Sequence, residues 1–304
     1  MKRNNNARPG NRNSSPSRSG GRPQPAGRGP QASSGSRRGG SPQGGGRSEN
    51  MIPREWRIVI GTHAINEVLK VRPKRVKGMW LRQGWEQSGD LRDMHDLAQK
   101  NRIVPEIKPD NVIEKFGPSQ QGAAVFVDAG PTLDMNALGE SEKSVVLILD
   151  GIEDPHNLGA IVRTSWLTGV QGVLIPEDRA VGLTPTVHKV ACGGIEHVPV
   201  EETTNFSKYA EELKKKGYWI YGLSPRGKQS IFDLELPEKV VWAIGSEDKG
   251  LRVTTERLCD ELVFIPQASA SASYNASVAT AMALTETLRQ HASQGNRKKT
   301  QTVE

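Results

Sequence analysis

Three short runs of the chain carry residue types suited to chemistry, and each follows an apolar stretch. In the first, from Asp150 to Thr164, Asp154-Pro155 has the makings of a helix start, with Asp as the cap and Pro at the first helical position. Asn157 and Arg163 follow on that helix among apolar Ile161, Val162 and Leu167. An arginine at the mouth of a strand–helix turn can grip a phosphate through two parallel N–H bonds. The plainer alternative is an exposed Arg163 paired with Asp150 or Glu153. In the second run, Gly245-Ser246-Glu247-Asp248-Lys249-Gly250-Leu251, two glycines bracket a polar loop where backbone can approach a ligand closely, or an ordinary turn with a surface glutamate. The third runs from Ile265-Pro266 through Ser273-Tyr274-Asn275 to Ala279. It places small polar residues before an Ala-rich helix, for which Asn275 or Ser273 is a natural cap, and it suits a pocket wall better than a plain connection.

Other chemistries find no footing. His63, His95, His156, His188 and His197 lack ligand spacing, and most read as surface or capping groups. Cys192 and Cys259 sit in no Cys-x-x-Cys or His/Cys cluster, so a disulfide framework or zinc site is not expected, and both read as small buried apolar residues. No metal is called for. After the strand at Leu149 there is neither a G-x-G-x-x-G turn nor a G-x-x-x-x-G-K-[ST] phosphate loop, so any ligand is held in another way.

The elements that must position these loops can be read from periodicity. Between 144 and 292, apolar strands at Val145–Leu149, Gly172–Ile175, Trp219–Leu223, Val240–Ile244 and Leu262–Ile265 alternate with helical segments, the last from about Ala276 to Ala292. Unbroken apolar strands alternating with helices predict an α/β domain with a parallel sheet covered on both faces. Ligands of such sheets bind beyond the carboxyl ends of the strands, where the three runs fall. Residues 54–128 predict a smaller α/β domain with strands at Arg57–Gly61, Val76–Leu81, Ile103–Ile107 and Ala123–Val127 and helices at Thr62–Lys70 and Leu91–Asn101. The polar stretch 129–143 reads as a linker, and 293–304 as a flexible tail.

The net charge of +7 is unevenly placed. Residues 1–50 hold ten Lys or Arg against the single acid Glu49, in a Gly-, Ser- and Pro-rich setting with almost nothing apolar. Such a segment cannot offset its ordering entropy and is expected to be disordered. It is either an RGG-type RNA-binding tail or a solubilising linker. No signal-peptide core and no ~20-residue apolar run is present, so a cytoplasmic protein away from membranes is expected.

Taken together and in this order, the three runs resemble the signature motifs of the SpoU/TrmH family of RNA ribose 2′-O-methyltransferases, of the SPOUT superfamily. Asn157, Gly159 and Arg163 match an N-x-G-x-x-x-R core. Gly245 to Leu251 is similar to a G-[SA]-E-x-x-G-[LM] turn, and Ile265-Pro266 with Ser273-Tyr274-Asn275-Ala276-Ser277-Val278-Ala279 to an I-P…S-x-N-x-S-x-A stretch. The resemblance spans 144–292. It extends more loosely to Gly61–Leu69, which looks like the start of the L30e-like substrate-binding domain of the subgroup acting on large-subunit rRNA guanosines. Asp248 stands where the family usually has Gly, Gln267 and Ser269 where Met and Gly are common, and Tyr274 where Leu is usual.

The resemblance implies a C-terminal trefoil knot, a homodimer, and S-adenosylmethionine as methyl donor held at Gly245, Ile265 and Tyr274. It implies catalytic positions at Arg163, Asn157, Glu247, Ser273 and Asn275, and RNA as partner, with rRNA ahead of tRNA. A catalytically inactive RNA-binding paralogue and a metabolic α/β enzyme with an incidental tail are the alternatives.

Overall fold

The computed structural model describes residues 52–53, 55–117, 120–128, 130–269 and 272–301. The basic tail of 1–50 lies outside them.

The front domain is a four-stranded sheet in the order β1-β4-β2-β3, with β1 (Arg57–Ile60), β2 (Val76–Arg82), β3 (Glu106–Lys108) and β4 (Ala123–Val127). Strand β4 runs antiparallel to both β1 and β2, while β3 is parallel to β2. Helices α1 (Thr62–Val71) and α2 (Gly89–Lys100) cover one face, because Ile65, Val68 and Leu69 on the first and Leu91, Met94 and Ala98 on the second form single apolar stripes. A one-turn helix α3 (Asp110–Ile113) follows β3. The strand expected at Ile103–Ile107 starts only at Glu106. Pro105 has no N–H to give a ladder, Arg102 turns the chain with φ 61°, and Val104 is left 85% exposed. A short helix α4 (Met135–Glu140), capped by Asp134, forms within the 129–143 stretch, and its Leu138 is buried against the larger core.

The larger domain contains a seven-stranded, all-parallel sheet in the order β7-β6-β5-β10-β8-β11-β9. Its strands are β5 (Ser144–Asp150), β6 (Gly172–Pro176), β7 (Val200–Thr203), β8 (Trp219–Leu223), β9 (Gln229–Ser230), β10 (Lys239–Gly245) and β11 (Glu261–Phe264). The edge strands β7 and β9 are additions to the five expected. Every residue of β5 is buried, as a strand covered on both faces requires. Helices α5 (Pro155–Thr168), α6 (Pro185–Ala191), α7 (Phe206–Lys215), α8 (Val253–Glu256) and α9 (Ala276–Gln301) supply the covers. Helix α9 runs nine residues beyond the expected end at Ala292, into the stretch expected to be a flexible tail. No described helix is long and apolar enough to cross a membrane.

The chain leaves β5 in one direction towards β6 and β7, while β10, β8, β11 and β9 lie on the other side. The carboxyl ends of β5 and β10 therefore flank a topological switch point, where open parallel sheets form their ligand crevice.

The two domains pack against each other through β1, α1 and α6. His188, on α6, is 2% exposed there, contrary to the surface reading, and its Nε2 has no hydrogen-bond partner among the described residues. Burial first, and the Arg57 charge second, push its pKa down to about 3. The folded state thus holds His188 neutral while the unfolded chain takes up a proton near pH 6.5, so stability falls as pH drops through the window from about 6.5 to 3. The expected cost is about 2 kcal/mol by pH 5. Urea unfolding midpoints measured from pH 7 to 5 should decline steeply for the parent and less so for His188→Gln. Equal slopes would exclude His188 as the source.

Candidate functional site

At the crevice, the three polar loops are tied to one oxygen atom. Helix α5 begins as its sequence requires: Asp154 accepts the His156 N–H at 2.8 Å, Pro155 takes the first helical position and Gly169 closes the end in a left-handed conformation. That start fixes Asn157 on the first turn, 8% exposed, where its Nδ2 donates to Glu247 Oε1 at 2.6 Å. On the third loop, Asn275 caps α9 by accepting the Ser277 N–H at 2.9 Å. Its Nδ2 donates to Glu247 Oε1 at 2.6 Å and to Asn157 Oδ1 at 3.0 Å, and the Ala276 N–H adds a third bond to Glu247 Oε1 at 3.2 Å. Charge-assisted bonds of this kind are the stronger class. Their closed arrangement fixes three segments distant in sequence by holding one carboxylate.

Glu247 reaches this node because the loop carrying it is pinned from both sides. The Gly250 N–H donates to Ser246 O at 2.8 Å, and a Cβ at Gly245 would stand 2.0 Å from Gly250 C and 2.2 Å from Leu251 N. Only a glycine allows β10 to end against its own returning loop. Beside it, Asp150, 1% exposed at the end of β5, accepts the Arg252 N–H at 2.8 Å and the Arg252 guanidinium. Asp150 is therefore already engaged, and the pairing of Arg163 with Asp150 or Glu153 does not occur.

A cavity of about 480 Å³ opens beyond these strand ends, within the range of small-ligand sites. Gly245, Glu247, Leu251, Ile265, Ser273 and Tyr274 line it. Tyr274 is anchored by its hydroxyl to Pro266 O at 3.0 Å, which makes its ring part of the wall. Sequence reasoning missed the wall supplied by Leu223, Ser224 and Arg226. The polar run Ser224-Pro225-Arg226-Gly227-Lys228 directly after an apolar strand was the available signal.

Asn157 and Asn275 are not lining residues; they act on the cavity through Glu247. Arg163 belongs to neither group. Six positions along α5 from Asn157, about 9 Å of helical rise, it is exposed and its Nη1 donates to Cys192 Sγ at 3.5 Å. Among the described residues no carboxylate pairs with Arg163. Cys192, expected to be a buried apolar residue, is half-buried and turns the chain at φ 50° below that guanidinium. Cys259 stands away from the node, and burial, more than the neighbouring Asp260, pushes its thiol up to about 12, too high for a nucleophile. Among the described residues no group of three or more His, Cys, Asp or Glu could hold a metal ion.

The fold and site define a ligand-binding α/β protein of the doubly covered parallel-sheet class, with its cavity at the switch point and, on α5, an exposed arginine that no carboxylate among the described residues pairs. Residues 144–285 match the SpoU rRNA methylase family model, and residues 58–131 match the model for RNA 2′-O ribose methyltransferase substrate binding. The 23S rRNA (guanosine-2′-O-)-methyltransferase RlmB of Neisseria meningitidis is 38% identical over 239 residues, which cover 77% of this chain and 95% of that protein. The protein of the same name from Shewanella oneidensis is 37% identical, over 78% of this chain and 98% of its own length. The chain belongs to the SpoU methylase family. Its fold is also that of the SpoU methyltransferase AviRb from Streptomyces viridochromogenes in complex with AdoMet, at a TM-score of 0.68 and 21% identity over 79% of this chain and 92% of that one.

Proposed function

We propose that the protein transfers a methyl group from S-adenosylmethionine to the ribose 2′-hydroxyl of a guanosine in 23S rRNA. The observation that carries this reading is the node at Glu247 Oε1, which fixes the loops around the cavity. The cavity suits the donor. S-adenosylmethionine has no phosphate and needs no glycine-rich phosphate cradle, and a nucleoside-sized body fits walls of close backbone with Leu251 and Ile265. Gly245, Ile265 and Tyr274 would hold it.

When bound, the donor supplies a methyl group already activated on a positively charged sulfur. The chain then has mainly to position the acceptor. Arg163 holds the phosphate next to the target ribose and orients the 2′-hydroxyl, whose oxygen takes the methyl group as the carbon–sulfur bond breaks and whose proton leaves to solvent with the help of that phosphate; a guanidinium stays protonated and does not act as a simple base. Asn157 and Glu247 shape the site and order the loops, and Ser273 and Asn275 bridge the third loop to donor and substrate. The front domain, read as L30e-like, holds the RNA, and the C-terminal segment is read as threading a trefoil knot. The working form is a cytoplasmic homodimer.

The test is methyl transfer from labelled S-adenosylmethionine to rRNA and tRNA from a methylation-deficient source. Label in 23S rRNA, resistant to alkali at one guanosine, is expected. Label confined to tRNA would move the substrate assignment, and no label in any RNA together with no donor binding by calorimetry would refute the enzyme reading.

A further inference from the structure

The segment Cys192–His197, between α6 and β7, touches the front domain on one side and the helix carrying Arg163 on the other. Within it, Gly194–Glu196 forms a single 3₁₀ turn that presents Glu196, 3% exposed. Its carboxylate receives Arg57 Nη1 at 2.9 Å and Nη2 at 3.3 Å, from β1, and lies 3.4 Å from Arg72 Nε, at the end of α1. Two cations of the front domain thus close on one buried anion of the larger domain. Such a group is tolerated only while its partners stay in place. Next to it, His197 Nε2 meets Glu67 Oε2 at 3.1 Å, and the His197 ring stacks on Trp166 of α5 at 4.2 Å and 6°. Contacts with His197 and Lys70 hold the Glu67 carboxyl below its usual range despite an opposing desolvation effect.

The other side of the segment reaches Arg163. A Cβ at Gly194 would stand 3.3 Å from Arg163 Cα, and Cys192 Sγ accepts from the Arg163 guanidinium. A Cβ at Gly193, where φ is 97°, would stand 2.4 Å from Glu67 Cγ. Close packing against the Glu67 side chain on one side and the α5 backbone on the other leaves little slack, so a shift of the front domain is passed to the backbone that shapes the surroundings of Arg163.

We infer that Glu196 is a positioning residue, whose ion cluster with Arg57 and Arg72 docks the front domain and thereby sets Arg163 for RNA held on that domain. The inference rests on the proposed RNA methyl transfer. With the cluster broken, the two domains stay covalently joined, so RNA is still captured at high effective concentration but is presented in the wrong place. The loss then falls on kcat more than on KM for RNA.

Two variants undock the domains by different routes: Glu196→Gln removes the anion, and Gly193→Ala wedges Glu67 away. Full-length parent and variants are compared by small-angle scattering, by calorimetry with S-adenosylmethionine and by steady-state methylation of 23S rRNA. The expected result is a larger radius of gyration, parental donor affinity, kcat reduced about 10- to 100-fold and KM for RNA changed less than kcat. A variant that expands but turns over at the parental rate overturns the inference, as do two variants that fold and stay docked. Should both fail to fold, His197→Ala loosens the exposed Glu67 contact without leaving a buried charge, and an unchanged kcat in an expanded His197→Ala protein overturns it too. A parent that methylates no RNA refutes the function reading itself, and the coupling with it.

Discussion

Replacing Arg163 by alanine leaves donor binding intact and lowers methyl transfer to 23S rRNA by about 10²- to 10³-fold. The separation of effects follows from the geometry. Arg163 lines no part of the cavity and takes no share in the node at Glu247, so its removal leaves the walls formed by Gly245, Ile265 and Tyr274 as they are. What is lost is a fork of donors, held exposed on α5 and engaged only with a thiol. An acceptor ribose whose phosphate is no longer gripped samples many orientations, and the cost is paid in turnover rather than in donor affinity. Arg163→Lys keeps the charge without the bidentate fork and should recover only a small part of the rate. The measurement is single-turnover transfer with calorimetry on the same preparations. Parental rates in Arg163→Ala would remove this residue from the reaction.

The opposite pattern is expected of Gly245→Ala. The added methyl group would meet the backbone of Gly250 and Leu251 at about 2 Å, and backbone cannot rotate aside as a side chain can. Either β10 or the loop must move, and both carry the cavity: Gly245 pairs with Asp150 across the central strands, and Leu251 packs into the core below. Glu247 is displaced with them, so its three donors from the first and third loops are lost together. Donor affinity should fall by more than about 100-fold, the larger effect of the two on binding, while overpacking at a single site takes about 1–3 kcal/mol from stability. Isothermal titration with S-adenosylmethionine decides it. Binding within threefold of the parent would show that the loop yields where the structure leaves no room.

Much of the site was legible because its signals are local. The Asp154-Pro155 start of α5 and the Asn275 cap of α9 are contacts within three residues, so spacing alone reveals them. The fully buried strands β5 and β10 are equally plain as apolar runs. The unread parts depend on partners far along the chain. Strand β7 reads Val-Glu-Glu-Thr and is a strand only because it lies against β6, and β9 has two residues at the far edge. In sequence Asp150 is free to pair with Arg163, but in the fold Arg252 occupies it, and nothing near His188 in sequence announces that the front domain covers it. Nothing local singles out Glu196; its arginines lie more than a hundred positions earlier.

The order of strands also fixes when the domain can first become stable. Strand β5 opens the larger domain, yet one of its two neighbours is β10, and the register partner of Ser144 is Lys239. A chain still being synthesised can pair β5 with β6 and β6 with β7, but the central strand keeps one apolar edge unpaired until nearly the whole domain has emerged. Closing so long a loop is slow, and an unpaired buried strand is an invitation to aggregation while it waits. Helix α9 comes later still, and its Thr287 hydroxyl must arrive before Trp242 Nε1 can find its acceptor in the core. The donor cavity, whose walls are completed by Ala276 and Ala279 at the start of α9, is thus among the final features to form. A truncated or stalled chain would carry the front domain with no capacity for the chemistry.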